Sequence, residues 1–190
     1  MKLTYKRKVH MRFHQLAAAL VVISCAAAQN GQPKQQRPPD APFVRTPNVV
    51  VDAMLKLAGV TKNDTVYDLG SGDGAIVIAA ARKYGAHGVG IDINPELVEA
   101  ARVNARRARV DSVVKFEVND LFDADIRNAT VVTLYLLPNL TVRLRPKLLK
   151  ELKPGSRIVA HKFAIGDWKP DKQEPVEDTN IYLWTVPAKK

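Results

Sequence analysis

Three glycines at alternate positions, Gly70, Gly72 and Gly74, separate an apolar run from an alanine-rich stretch in the segment Val66-Tyr67-Asp68-Leu69-Gly70-Ser71-Gly72-Asp73-Gly74. Glycines so spaced let the chain turn sharply from a strand into a helix and leave main-chain N–H groups open to a ligand at the helix N-terminus. A loop of this kind suits a nucleotide-like molecule, and Asp68 narrows the choice. A carboxylate two residues ahead of the first glycine repels a pyrophosphate and favours a ligand with positive charge. A second acid, Asp92, ends the apolar run Gly88-Val89-Gly90-Ile91 and lies 24 positions after Asp68. There it can accept hydrogen bonds from ribose hydroxyls, as in nucleoside-binding βαβ units, with Ile93 beside it. Asn119, Asp120 and Leu121 follow a third apolar run, Val113 to Val118.

S-adenosylmethionine has an ammonium and a sulfonium and no phosphate, so it fits these acids. The set resembles the class I S-adenosylmethionine-dependent methyltransferases. The resemblance implies that Asp68, Gly70, Ser71, Gly72, Asp73 and Gly74 hold the methionine end of the cofactor. It further implies that Asp92 and Ile93 hold the ribose and that Asn119, Asp120 and Leu121 hold the adenine.

The elements that must carry these residues alternate strand and helix. Thr65 to Leu69 reads as a strand, Ala75 to Tyr84 as an apolar helix, and Asn94-Pro95-Glu96 as a helix start. Leu97, Val98, Ala101, Ala105 and Ala108 form that helix's buried stripe. Thr130 to Leu137 is continuous apolar chain, suited to a central buried strand. Leu140 to Leu152 is helical with an interruption expected at Pro146, Arg157 to Phe163 is a strand, and Ile181 to Val186 is a last, antiparallel one. Upstream, Thr46-Pro47 reads as an N-cap and first helical position. Phe43 to Pro47 is placed to line the site, although a plain packing helix explains it equally well. The expected architecture is α/β, a Rossmann-like three-layer sandwich with a mostly parallel central sheet and an antiparallel C-terminal strand.

At 190 residues, 46% hydrophobic and 25% charged, the chain has room for one globular domain and a short extension. Half of the formal charge of +10 comes from residues 1–28, which hold five basic side chains and no acid. The remaining surplus is ordinary for a surface and does not call for a nucleic-acid partner. Arg102, Arg106, Arg107 and Arg109 do share one helix face. With no aromatic residues interleaved for stacking, a solvated face explains them better. No cluster has metal-ligand spacing, and no metal is expected.

A basic start, the short apolar run Leu16 to Ala28 and Ala26-Ala27-Ala28 before Gln29 read as a signal peptide over 1–28. Cys25 follows Val22-Ile23-Ser24, which also resembles a lipoprotein processing site. Cleavage after Ala28, lipidation at Cys25 and retention of the segment as a membrane anchor stay open. Residues 29–42 have the composition of a flexible linker, and 43–190 form the catalytic domain. The leader places the protein as exported or membrane-associated, whereas S-adenosylmethionine is made in the cytosol.

After the fourth strand, Leu136-Leu137-Pro138-Asn139 stands where many amino-methylating enzymes carry Asn-Pro-Pro-Tyr or Asp-Pro-Pro-Tyr. Its absence argues against the adenine, cytosine and glutamine methylases that use it. Ser71-Gly72-Asp73-Gly74, Ile76 to Ala81, the Leu-Pro turn, and Arg157 to Ala160 leading to Asp167-Trp168-Lys169-Pro170-Asp171 form a more specific set. This set is similar to the ATP synthase c-subunit lysine N-methyltransferase family and its bacterial relatives, over most of the chain from Phe43 onward.

That resemblance implies a protein lysine as methyl acceptor. The expected chemistry is in-line attack of the neutral amine on the sulfonium methyl. A desolvated channel of Tyr135, Phe163 and Trp168 is expected to favour the neutral amine, with Asn139 or His161 orienting it or taking its proton. The candidate catalytic residues are therefore Tyr135, Asn139, His161 and Trp168. A small-molecule or RNA methyltransferase and an exported binding module without turnover are the alternatives. An NAD-linked dehydrogenase is the weakest, because Asp68 opposes the pyrophosphate.

Overall fold

The structure, a computed structural model, describes Pro38 and residues 42–188. The leader over 1–28, Cys25 and nearly all of the linker lie outside the described residues. Eleven elements follow in order: α1 (Asn48–Leu57), β1 (Thr65–Leu69), α2 (Ala75–Tyr84), β2 (His87–Asp92), α3 (Pro95–Ala108), β3 (Val114–Val118), β4 (Val131–Leu134), α4 (Pro138–Glu151), β5 (Arg157–His161), β6 (Lys172–Val176) and β7 (Thr179–Thr185).

The seven strands form one sheet in the order β3-β2-β1-β4-β5-β7-β6. The first five strands pair in parallel, while β7 runs antiparallel to β5 and β6 antiparallel to β7. The order reverses between β1 and β4, and open α/β sheets bind ligands at the C-terminal ends of strands on either side of such a switch.

Alternation along the strands divides the core between two faces. Val66, Val131 and Val159 turn toward α1 and α2, where Val50, Met54, Leu55, Ile76 and Ala80 meet them. Leu69, Val132, Leu134 and Ile158 turn the other way, onto Leu144, Leu148 and Leu152 of α4 and its flank. Beside α2, the helix α3 packs Val98, Ala101 and Ala105 against Phe116. The result is the expected three-layer sandwich with a mostly parallel sheet.

Several local expectations change. The helix near residue 47 begins one residue later, with Pro47 as its cap and no side-chain capping bond, so Thr46 does not act as N-cap and is buried. Helix α4 starts at Pro138 and runs through Pro146 without a break. Proline removes one amide donor and crowds the carbonyl four residues back. That carbonyl belongs to Val142, an exposed residue of α4.

The fourth strand is shorter than its apolar run: Tyr135 to Leu137 leave the ladder, and Tyr135 and Leu136 line the site. The C-terminal end supplies two antiparallel strands where one was expected. β6 was hard to anticipate because four of its five residues are exposed and it contains a proline, which marks it as an edge. Trp168 is half-buried. Its ring lies 5.9 Å from that of Trp184, whose Nε1 donates to the Trp168 carbonyl at 2.9 Å.

Candidate active site

Strand β1 delivers Asp68 to the sheet's C-terminal edge, where it is almost fully buried. Thr133 of β4, its register partner, donates Oγ1–H to Asp68 Oδ1 at 2.6 Å. Burial, together with the nearby Asp92 and Asp73, outweighs that bond and pushes the Asp68 carboxyl up to about 7.

The glycine loop then folds back across β2. The N–H groups of Gly70 and Ser71 both donate to the carbonyl of Ile91. Gly72 has a φ of +52°, and a Cβ there would sit 2.1 Å from the ring of Phe43. That position requires glycine for both conformation and space, as does Gly74, with a φ of +82° and a Cβ that would sit 2.7 Å from the ring of Phe116. Gly74 starts α2 from a left-handed conformation.

Asp92 is held by the loop it faces. Its Oδ2 accepts from Gly72 N–H at 2.8 Å and its Oδ1 from Asn94 N–H at 2.9 Å. Each carboxylate oxygen keeps a second lone pair for a ligand hydroxyl. Asn94 caps α3 by accepting from Glu96 N–H, which fixes the turn carrying Asp92 and Ile93. On the far side, Asp120 Oδ1 accepts from Phe122 N–H at 2.9 Å, shaping the turn of Asn119 to Leu121.

These residues surround one cavity of about 420 Å³. Asp68, Gly70, Ser71, Asp73, Asp92, Ile93, Asn119, Asp120 and Leu121 all line it. Gly72 and Gly74 do not line it and act through the loop's shape. Tyr135, Leu136 and Leu140, which follow β4, line it as well, with Leu136 next to Gly70. Pro42, Phe43, Val44 and Thr46 close over the loop, in keeping with the placement expected for the segment before α1, and Arg45 reaches Asp73 at 3.4 Å.

Four acids and no lysine or arginine line this cavity. Such a lining suits a cationic ligand and rejects a chain of phosphates. Ser71 Oγ is buried without a hydrogen-bond partner, next to Gly90 of β2. The residues present therefore fit S-adenosylmethionine. Among the described residues no group of His, Cys, Asp or Glu is arranged to hold a metal ion.

The four catalytic candidates are not brought together. Tyr135 lines the cavity. His161 sits buried behind it, their ring centroids 4.0 Å apart. Burial lowers the His161 pKa below the usual imidazole value, and Lys162 adds to this against a weaker opposing pull from Asp178. Asn139 is exposed in the first turn of α4, outside the lining. Trp168 packs on Trp184 under Arg145 and does not reach the cavity, and Phe163 does not line it either. The expected three-ring channel is thus reduced to Tyr135, because the loop aromatic is used to complete the core. Sequence reasoning missed Leu97 and Leu140 as lining residues. Each stands in the first turn of a helix that begins at the sheet's C-terminal edge, and that position was the available clue.

Comparison with known proteins agrees with this geometry. Residues 68–172 match the family described as the ANTKMT methyltransferase domain. A protein-lysine N-methyltransferase of Saccharolobus islandicus is 43% identical over 153 residues, 78% of this chain and 95% of the relative. The human lysine N-methyltransferase of the ATP synthase c-subunit is 35% identical over 130 residues, 68% of this chain but only 55% of that protein. A crystal structure described as an RNA methyltransferase from Salinibacter ruber, in complex with S-adenosyl-L-homocysteine, superposes with a TM-score of 0.76 at 54% identity, covering 77% of this chain and 96% of that one. With the acid-lined cavity, these matches establish that the chain belongs to the ANTKMT methyltransferase domain family and is an S-adenosylmethionine-dependent methyltransferase.

Proposed function

We propose that this enzyme methylates the side-chain amine of a lysine in a protein. The observation that carries the proposal is that Tyr135, Leu136 and Leu140, which follow β4, line the cavity beside the carboxylates of the glycine loop. The described activity of the Saccharolobus islandicus relative supports the same reading.

When bound, S-adenosylmethionine supplies an electrophilic methyl group on a sulfonium. Asp68 and Asp73 provide negative charge beside the glycine loop, Asp92 offers its remaining lone pairs to hydroxyls, and Asn119 to Leu121 flank the base. Phe43 packs on the loop at Gly72 and Leu136 at Gly70. Keeping a lysine neutral at pH 7 costs about 4–5 kcal/mol from its ordinary pKa. An apolar acceptor end reduces that cost by disfavouring the ammonium. Tyr135 is the polar group placed to orient the amine there.

Incubating the purified chain with methyl-labelled S-adenosylmethionine and a protein extract, then identifying the labelled residue by mass spectrometry, tests the proposal. Methyl-lysine is expected; label confined to RNA or to small molecules contradicts it. The description of the Salinibacter structure keeps RNA as the second reading. Against it, Arg102 and Arg106 are engaged by Glu99. Salt-sensitive RNA binding lost on changing Arg106 and Arg107 would favour it. For the N-terminal segment we propose membrane association or export, to be tested by fractionating cells that carry the wild-type chain or Cys25→Ala.

A further inference from the structure

We propose that His161 is a positioning residue for methyl transfer, its ring backing Tyr135 and fixing that side chain at the acceptor end of the cavity. The inference rests on Tyr135 being the residue that meets the acceptor amine.

The sheet sets up the pair. Leu134 of β4 is in register with Ala160 of β5, so Tyr135, the first residue past β4, lies beside His161, the last of β5. Their rings are tilted by 40° at 4.0 Å, and among the described residues His161 is the only aromatic ring packed against Tyr135. His161 is 4% exposed, and its Nδ1 is buried without a hydrogen-bond partner. The charged groups acting on it, Lys162 and Asp178, lie away from the cavity lining. Burial favours the neutral ring, which packs against a phenol without a counter-charge. The arrangement is an orienting group behind a cavity residue, held by packing, the kind of support that keeps a reacting geometry narrow.

The test compares the full chain carrying His161→Ala, His161→Phe, Tyr135→Ala, and His161→Ala with Tyr135→Ala. Expected are a loss of about tenfold or more in kcat for His161→Ala and retention within about threefold for His161→Phe, which restores a ring. The double variant should be no slower than Tyr135→Ala alone, since His161 acts through Tyr135. Calorimetric affinity for S-adenosylhomocysteine should stay within about twofold in His161→Ala and His161→Phe. In protein with labelled tyrosine, the Tyr135 ring resonances should move in His161→Ala and hold in His161→Phe.

Wild-type turnover in His161→Ala, additive losses in the double variant, or His161→Phe as slow as His161→Ala would each overturn the inference. So would loss of cofactor binding in His161→Ala, which would mark a purely structural role. If the label reaches an acceptor other than lysine, the lysine reading fails, and the same variants measured on that acceptor still decide the role of His161.

Discussion

Asp68 is ionised at a cost. Its folded carboxyl keeps a proton up to about 7, while an unfolded aspartate releases it near 3.8. The folded state therefore binds more protons across that window, and its stability falls as pH rises through it. Asp68→Asn keeps an acceptor for Thr133 and removes the buried charge. It should be more stable than wild type at about pH 8, by at least 1 kcal/mol or about 3 °C, with the gap closing near pH 5. Thermal unfolding at the two values checks this. The same substitution should weaken S-adenosylmethionine binding about tenfold or more, because the cation loses its buried counter-charge. Wild-type affinity should itself weaken as pH falls through about 7. At Gly72 a side chain meets both a φ of +52° and the Phe43 ring, so Gly72→Ala should cost about tenfold or more in cofactor affinity. Asp68, Asp92 and the glycines were legible because their chemistry is local: type, spacing and charge sign suffice. Trp168 was not, since its partner Trp184 is supplied by a strand 16 residues on.

Among the elements, α4 shows where local rules are overridden. Pro146 predicted a break, yet buried Leu140, Leu144 and Leu148 keep one face of the helix on the sheet, and that packing outweighs a missing amide bond. Pro146→Ala should then raise stability by about 1–3 kcal/mol and leave cofactor affinity unchanged, as read by denaturant unfolding and calorimetry. At the opposite edge of the sheet, Arg157 of β5 pairs with the buried Asp64 and donates to the carbonyls of Ala58 and Gly59. Burial opposes ionisation of Asp64, but bonds from Thr130 and Thr61 and the charge of Arg157 hold its pKa below the ordinary value. A depressed carboxylate contributes stability above its unfolded pKa and loses it as pH falls through the folded one. Asp64→Asn should therefore cost about 2 kcal/mol at pH 7 and progressively less in acid below about 3.8. This clamp was not read from the sequence, because Asp64 and Arg157 are 93 positions apart and neither belongs to a spaced motif.

For the molecule as a whole, the strand order brings the ends of β1, β2, β3 and β4 to one edge, and the segment before α1 returns to cover them. Repeated strand and helix patterns made the layers and the parallel sheet legible. The edge strand β6 escaped because exposed, proline-containing chain has no apolar alternation to read. A chain starting at residue 42 should bind S-adenosylmethionine as the full chain does, and one starting at residue 48 should bind about tenfold or more weakly for want of Phe43, Val44 and Thr46. The most direct measurement of the account is a crystal structure with S-adenosylhomocysteine bound. We expect the ribose hydroxyls on Asp92, the base beside Asn119 to Leu121 and the sulfur turned toward Tyr135. A ligand lying outside the four carboxylates, or one whose sulfur faces away from Tyr135, would contradict it.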